Sequence, residues 1–306
     1  MARVPLVQEL DLHPRHIHAD GALASARLAG DAEVESVLHR VGHQRVGSEL
    51  AAQGEAQAVG APAGDVLLFV DCFSRYFEPE NAGAARRVLE AAGYSVVEDA
   101  SSRPLCCGRT FLSAGLVDEA RVELTRLVYA LGAHAERGVP IVGIEPSCLL
   151  TLRDELGAVV KKGPVQTIAN QSLLFEEFLA RESRRGELKL ALRANGPRKA
   201  YLHGHCHQKA LGTMPDVLAA LQLVPGLSVE LIESSCCGMA GAFGYEAEHY
   251  DVSMRMAERS LLPAVRGAPS DAWMLADGTS CRHQIADGAQ RDAVHVARIF
   301  EAMLPS

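Results

Sequence analysis

The eight cysteines of this 306-residue chain constrain its fold more than any other feature. They stand at 72, 106, 107, 148, 206, 236, 237 and 281, which makes two runs of four: an isolated cysteine, an adjacent pair followed by glycine, and a later isolated cysteine. Equivalent members Cys72 and Cys206, Cys106 and Cys236, and Cys148 and Cys281 lie 134, 130 and 133 residues apart. Random placement of eight cysteines in this length predicts only about 0.2 adjacent pairs. Two pairs in matching frames, before Gly108 and Gly238, indicate an internal duplication. Buried cysteines that merely pack as small apolar groups would not keep this register.

The segments around the cysteines repeat as well. Asp65 to Val70 is an apolar, β-rich run leading to Cys72, Ala82 to Ala92 reads as a helix stopped by Gly93, and Tyr94 to Glu98 is a strand before Cys106. Gly115 to Ala135 is a long amphipathic helix closed by Gly138, and Val139 to Ile144 is a strand running into Cys148. In the second half, Lys199 to Cys206 reads as strand into cysteine, Pro215 to Leu223 as helix and Leu227 to Ile232 as strand. Glu246 to Arg266 reads as the long helix and Ala272 to Ala276 as the last strand. Strands alternating with helices imply parallel sheets with crossover connections, whose ligand crevice lies beyond the carboxyl ends of the strands. The expected fold is α/β: two tandem Rossmann-like three-layer repeats with parallel sheets, related by a pseudo-twofold. The first spans residues 66–181 and the second 198–300, with Glu182 to Pro197 as linker. Residues 1–65 carry no cysteine and five of the twelve histidines, with a weak helical pattern from Asp31 to Leu50 and a cluster from His13 to His18 that has no acidic or cysteine partner at ligand spacing. No role is assignable to that segment.

Composition narrows the function. With 48% hydrophobic and 22% charged residues the chain can bury a core. No apolar run approaches the roughly 18 residues of a spanning helix. A net charge of −8 without a basic, aromatic-interleaved stretch argues against nucleic acid. The N-terminus lacks the apolar core of a secretory signal, so a cytoplasmic, thiol-reducing compartment is expected. Four converging thiolates there serve a tetrahedral zinc or an iron–sulfur cluster. Disulfides are disfavoured, since adjacent cysteines such as Cys106 and Cys107 bridge only under strain. Structural zinc usually draws its ligands from close C-x₂₋₄-C pairs, whereas these are dispersed over three strand ends, which suits a larger inorganic cluster. Gly108 and Gly238 would let backbone amides approach its sulfides. No dinucleotide fingerprint, phosphate-binding loop or nucleophile elbow is present, so hydride chemistry would fall to another component.

At these residues the sequence resembles the cysteine-rich CCG-domain family: the iron–sulfur subunits of glycolate oxidase, anaerobic glycerol-3-phosphate dehydrogenase and lactate-utilisation systems, and the CCG-bearing subunit of heterodisulfide reductase. It also resembles the C-terminal part of fusions that join an FAD-linked oxidase domain, a ferredoxin domain and two CCG domains. Cys72, Cys106-Cys107-Gly108 and Glu145-Pro-Ser-Cys148 carry the likeness in the first half. His203-Gly-His-Cys-His-Gln-Lys209, Glu233 to Gly241 and Gly278 to Ile285 carry it in the second. The resemblance implies one cluster of 4Fe-4S type in each half, with the eight cysteines as ligands and zinc in one half as an alternative. It implies an electron-transfer role from a flavoprotein dehydrogenase of a small 2-hydroxy acid or glycerol phosphate, through a ferredoxin-type relay, toward quinone, at the inner face of the membrane through partners. Two features depart from the family. Cys148 is followed by Leu-Leu-Thr151 and Cys281 by Arg-His-Gln284, so the fifth cysteine of the heterodisulfide reductase pattern is missing and an ordinary four-cysteine cluster is expected instead. No C-x₂-C-x₂-C run is present, which places the relay on a partner chain.

Among other residues, His203, His205 and His207 alternate along the strand and so share one face, opposite Cys206, as hydrogen-bond donors to the cluster or proton donors at a substrate site, with His207 the candidate catalytic residue. Glu145 and Glu233 occupy corresponding pre-cysteine positions. Lys209 and Arg282 either offset the charge of a tetra-thiolate cluster or are plain surface and capping charges, and Met254 and Met256 read as packing and surface positions. Three functional classes remain: an electron-transfer protein, a heterodisulfide-reductase-like catalytic reductase of disulfide or thioester-like substrates, and a zinc-stabilised interaction module.

Overall fold

The computed structural model describes residues 64–305 apart from 98, 100, 102, 195 and 197; the histidine cluster and the weak helical pattern near the N-terminus lie outside the described residues. The first half opens with β1 (Asp65–Phe69), buried from Val66 to Phe69 on both faces, as a central parallel strand must be. Then come α1 (Cys72–Tyr76), α2 (Pro79–Ala91), β2 (Ser95–Val97), α3 (Arg109–Ser113), α4 (Val117–Glu136) and β3 (Ile141–Gly143). After these follow α5 (Pro146–Leu149), α6 (Leu156–Val159), α7 (Val165–Gln171), β4 (Ser172–Leu174) and α8 (Phe175–Arg184). Pro79 starts α2, where its missing N–H costs nothing, and Gly93, at φ 89°, lets the chain leave the helix end. In α4, Asp118 and Glu119 face the positive end of the helix dipole, and Ala120, Leu124, Leu127, Leu131 and Ala135 form its buried stripe.

The second half repeats the order: β5 (Lys199–His203), α9 (Cys206–Ala210), α10 (Met214–Leu221), β6 (Ser228–Leu231), α11 (Tyr250–Ala257), α12 (Leu261–Gly267), β7 (Trp273–Ala276), α13 (Thr279–Ala289) and α14 (Val296–Ala302). Both sheets are wholly parallel, ordered β2-β1-β3-β4 and β6-β5-β7. Leu67 pairs with Val97 and Ile141, and Leu202 pairs with Leu231 and Leu275. A single parallel bridge from Leu275 to Val294 stands where β4 stands in the first sheet. The repeat therefore includes a fourth strand, reduced to one residue pair in the second half.

The strands expected around the first cysteines are present, shorter by a residue or two at their ends, while α2 starts three residues earlier than expected, at Pro79, and α4 runs one residue further, to Glu136. The long helix expected from Glu246 to Arg266 is instead broken into one short 3₁₀ turn (Ala247–His249) followed by α11 and α12. Pro263 is the physical reason: it has no N–H to donate to residue 259, and its ring crowds that carbonyl. The expected linker also begins later, because α8 continues through Arg184 and Glu182 is buried, accepting a hydrogen bond from the Tyr94 hydroxyl at 2.9 Å.

Alternation along each strand divides the core. Val66, Leu68 and Val142 of the first sheet and Ala200, Leu202 and Leu275 of the second face one shared apolar cluster, which α2, α8, α10 and α14 fill. Leu67, Phe69 and Ile141 face a separate cluster under α4, and Tyr201, Met274 and Ala276 face a third. Packing in the shared layer is reciprocal: α8 of the first half lies on α10 of the second, and α14 of the second lies on α2 of the first. Each contact carries an ion pair, Arg184 with Asp216 at 2.6 Å and Arg87 Nε with Glu301 at 2.7 Å. Phe175 and Phe300 meet edge to face with ring centroids 5.9 Å apart. Because Phe300 is fully buried in this layer, Phe300→Ala is expected to cost about 3–5 kcal/mol of unfolding free energy by urea denaturation. A loss below about 1 kcal/mol would show that the layer does not bind the halves together.

Candidate metal centres

All eight cysteines lie in loops or first helical turns at the carboxyl ends of β1, β2, β3, β5, β6 and β7, and none forms a disulfide. In the first half Asp71 caps α1 by accepting from the amides of Phe73 and Ser74 at 2.9 and 3.0 Å, which fixes Cys72 as the first helical residue. Burial and the charge of Glu145 raise Asp71 to about 6. Cys148 is the third residue of α5. The four thiols form a connected set through Cys72 with Cys106, Cys106 with Cys107, and Cys107 with Cys148. Hydrogen bonds from Cys107 and Cys72 hold Cys106 well below the ordinary thiol range, helped by the Gly108 amide and by Arg126. Hydrogen bonding to Cys106 and burial push Cys72 and Cys107 up. Against a hydrogen bond from Cys107, burial and the charges of Asp71 and Glu145 push Cys148 up to about 12. Protons crowded onto buried sulfurs in this way are the ones a metal displaces on binding.

The second half reproduces the placement. Cys206 is the first residue of α9, Cys281 the third of α13, and Cys237 hydrogen-bonds both Cys236 and Cys281. Gly108 and Gly238 each adopt positive φ, 73° and 94°, and direct their amides at the sulfur two residues back, 3.4 Å to Cys106 and 3.3 Å to Cys236. A Cβ at Gly108 would lie 3.3 Å from the Ala120 carbonyl oxygen, and one at Gly238 only 2.2 Å from that of Ser253. Close backbone approach together with a left-handed conformation is why the adjacent pair is followed by glycine in both halves. Gly238→Ala is therefore expected to cost about 2–5 kcal/mol in thermal or urea unfolding and Gly108→Ala distinctly less. Equal losses would contradict the geometric account.

The two last-cysteine helices share one cap. Glu145 Oε1 accepts from the Ser147 amide and hydroxyl at 3.2 and 2.7 Å, while Oε2 accepts from the Thr279 amide and hydroxyl at 2.9 and 3.1 Å. One carboxylate from the first half thus ties α5 and its Cys148 to α13 and its Cys281. Glu233 is exposed and has no such role, so the expected correspondence with Glu145 does not hold; the position matching Glu145 is Gly278. Arg282 is neither a cluster counter-charge nor a surface charge. It is 5% exposed, paired with Glu78 across the halves, and donates to the carbonyls of Ala276 and Asp277 at 2.8 and 2.7 Å. Lys209 is half-buried, feels the charge of all four cysteines of its half, and donates to the Ser234 carbonyl. Arg75 stands three residues after Cys72 in sequence, but the cation whose charge acts on the first thiols is Arg126, on Cys106.

The three histidines do not share a strand face. Strand β5 ends at His203, His205 caps α9 by accepting from the His207 amide at 3.2 Å, and His207 lies in the helix. Burial, with neighbouring positive groups, pushes His203 and His205 down to about 3 and lowers His207, which also faces Arg109. A cavity of about 330 Å³ opens between the halves, bounded by Phe73, Arg109 and Glu145 on one side and by His207, Tyr245 and the four cysteines of the second set on the other.

The family model of the CCG cysteine-rich domain matches residues 66–153. The matched stretch runs from β1 past Cys148 and so contains the first four cysteines. Among curated proteins, the chain is 28% identical over 226 residues to a subunit of the anaerobic glycerol-3-phosphate dehydrogenase of Escherichia coli K12, covering 72% of this chain and 54% of that protein. It is 29% identical over 248 residues to the D-2-hydroxyglutarate dehydrogenase of the same strain, covering 80% of this chain and 23% of the relative. It is 26% identical over 186 residues to lactate utilization protein A of Bacillus velezensis, covering 58% and 74% respectively. The chain thus spans about half the length of the first relative and a quarter of the second. A cysteine-rich CCG domain with converging soft donors is the chemistry of a metal cluster.

One buried group beside the CCG domain escaped sequence reading. Glu176, at the start of α8, is fully buried and neither carboxylate oxygen has a hydrogen-bond partner among the described residues. Burial and the charge of Asp277 push it well above the usual carboxylate range. Its neighbours are committed elsewhere: Asp277 accepts from the Val296 amide at 3.1 Å and from Gln208 at 2.8 Å, and His295 donates to the Ile144 carbonyl at 2.8 Å and accepts from the Ala297 amide at 2.9 Å. Periodicity marks Glu176 only as the second residue of a helix, so no sequence signal separates it from a surface glutamate. A carboxyl whose folded value lies above its unfolded value stabilises at low pH, and that contribution is lost as pH rises from about 4.5 through the folded value. Glu176→Gln is accordingly expected to be more stable than the parent at pH 7–8 and to approach it below pH 4.5 in urea midpoints. Parallel pH profiles would contradict this reading.

Proposed function

We propose that the chain is the iron–sulfur electron-transfer component of a flavin-linked dehydrogenase acting on a small 2-hydroxy acid or on glycerol 3-phosphate, passing electrons from flavin toward quinone. The observation that carries the reading is the two groups of thiols, Cys72, Cys106, Cys107 and Cys148 linked in one half and Cys236, Cys237 and Cys281 linked in the other with Cys206 close enough to feel the charge of Cys236, each with a glycine amide donating to one of its sulfurs. Donor chemistry fits the cofactor: Cys72, Cys106, Cys107 and Cys148 would hold one cluster of 4Fe-4S type, and Cys206, Cys236, Cys237 and Cys281 a second. Sulfur is the preferred ligand of such clusters, and amides directed at sulfur are one of the protein's means of setting their potential. The cluster supplies reversible one-electron storage. The residues of this chain hold it, exclude water through the buried Cys107, Cys148, Cys237 and Cys281, and offset its charge with Arg126 and Lys209. The names of the relatives support a dehydrogenase assembly. A flavoprotein subunit would supply the hydride chemistry and a ferredoxin-type relay the link between flavin and this chain. Attachment to the inner face of the membrane would come through partners, since no helix among the described residues is long and apolar enough to cross one.

The cavity between the halves favours a second reading, a heterodisulfide-reductase-like reductase with His207 as proton donor, because all four cysteines of the second set and His207 line it. Anaerobic reconstitution of the full chain with iron and sulfide, followed by metal and acid-labile sulfide analysis, tests the primary reading. Iron and sulfide in equal amounts are expected, with about half retained in each of Cys107→Ser and Cys237→Ser, consistent with two independent centres. Stoichiometric zinc without iron would instead identify a zinc-stabilised module. Electron paramagnetic resonance signals that change on adding a disulfide substrate, and lose that response in His207→Ala, would favour the reductase.

A further inference from the structure

One difference between the two cysteine frames lies at the carboxyl end of the central strand, where the first half has Phe69 and the second His203, 134 residues later. Phe69 is buried with Leu67, Cys107 and Cys148, which is what an all-sulfur centre behind an apolar wall requires. His203 holds the same place in the second half. It is 1% exposed, on the face of β5 that Tyr201 presents to Cys237 and Cys281. A ring nitrogen of His203 and the sulfurs of Cys237 and Cys281 all lie within 4.8 Å of one another. Nδ1 is 2.8 Å from Ser234 Oγ, whereas Nε2 is buried and has no hydrogen-bond partner among the described residues. An imidazole nitrogen left unpaired inside a protein is unfavourable, and so marks a place for a partner atom that protein groups do not supply.

We propose that Nε2 of His203 is a ligand of the second metal centre, which is therefore held by nitrogen and sulfur while the first is held by sulfur alone. Ser234 is the positioning residue: by accepting from Nδ1–H it leaves the Nε2 lone pair free to bind, and Lys209, which donates to the Ser234 carbonyl and reaches its hydroxyl at 3.5 Å, holds that serine in place. Cys237 and Cys281 stand with His203 on the buried side of the centre, and Cys206 and Cys236 on the half-buried side. A 4Fe-4S cluster has four ligand places, so His203 takes the place of one of the four cysteines, and a neutral imidazole there makes the centre less negative and raises its potential, as histidine ligation does in other iron–sulfur centres. The second centre is then the more easily reduced of the two, and it is the one whose four cysteines line the cavity between the halves.

The inference rests on the reading that the centres contain iron, and the experiment separates the two. The full chain carrying Cys107→Ser, which leaves the second centre alone, is reconstituted anaerobically with iron and sulfide and reduced, with histidine at natural abundance and labelled with ¹⁵N. Pulsed electron paramagnetic resonance is expected to show a nitrogen coupling that changes with the label and disappears in His203→Cys. The reduction midpoint is expected to fall in the same variant. A spectrum insensitive to the label overturns the proposal and needs no variant to fold. A label-sensitive coupling that persists in a folded His203→Cys, as judged by circular dichroism, also overturns it, because another histidine is then the ligand. Should the chain bind zinc and no iron, the functional reading fails. The ligand assignment is then judged by cobalt(II) substitution: an absorption spectrum that differs between the parent and His203→Cys upholds it, and an all-sulfur spectrum in both overturns it.

Discussion

Parallel strands cannot be joined by tight turns, and among the described residues every strand pair is parallel. Every connection therefore crosses over, and the strands of each sheet end on the same edge. Three cysteine-bearing loops follow the three strands on that edge in each half, so sulfurs far apart in sequence, such as Cys72 and Cys148, belong to one connected set. Short helices then set their direction. Cys72 and Cys206 open α1 and α9, and Cys148 and Cys281 stand third in α5 and α13, so matched positions in matched helices place equivalent sulfurs.

The halves are joined by more than a linker. An apolar layer filled by four helices lies between the sheets, each half contributing two, and the contact between them is reciprocal. At the sulfur-bearing edge the joint becomes polar: Glu145 caps helices of both halves, and Arg282 reaches from the second half to Glu78 of the first. Burying groups like these is costly unless they are fully bonded, and Glu145 and Arg282 meet that condition. Their arrangement couples the position of Cys148 to that of Cys281, so a shift in one half is felt beside the sulfurs of the other.

Duplication supplies two sites but not two identical ones. Gly108 and Gly238, Arg75 and Lys209, and the eight cysteines keep their correspondence, while Phe69 faces His203, Glu145 faces Gly278, and β4 faces a single bridge at Val294. Gly278 illustrates the cause: a Cβ there would lie 2.4 Å from the His205 ring, so the glutamate that caps α5 has no counterpart and Glu145 spans the gap instead.

By itself the sequence determined the α/β class, the duplicated frame, the strand that precedes each cysteine loop, and glycine after each pair. Those follow from local periodicity and from backbone conformations that only certain residues adopt. Tertiary structure decided which histidine turns toward the sulfurs. Strand β5 stops at His203, so the alternation that would have grouped His203, His205 and His207 ends before it can act. It also decided that Arg282 serves the joint and Lys209 the thiols, and that Glu176 is buried. A charged side chain looks the same along the chain wherever it points, and only packing between elements distant in sequence fixes whether it meets water, a partner or a sulfur.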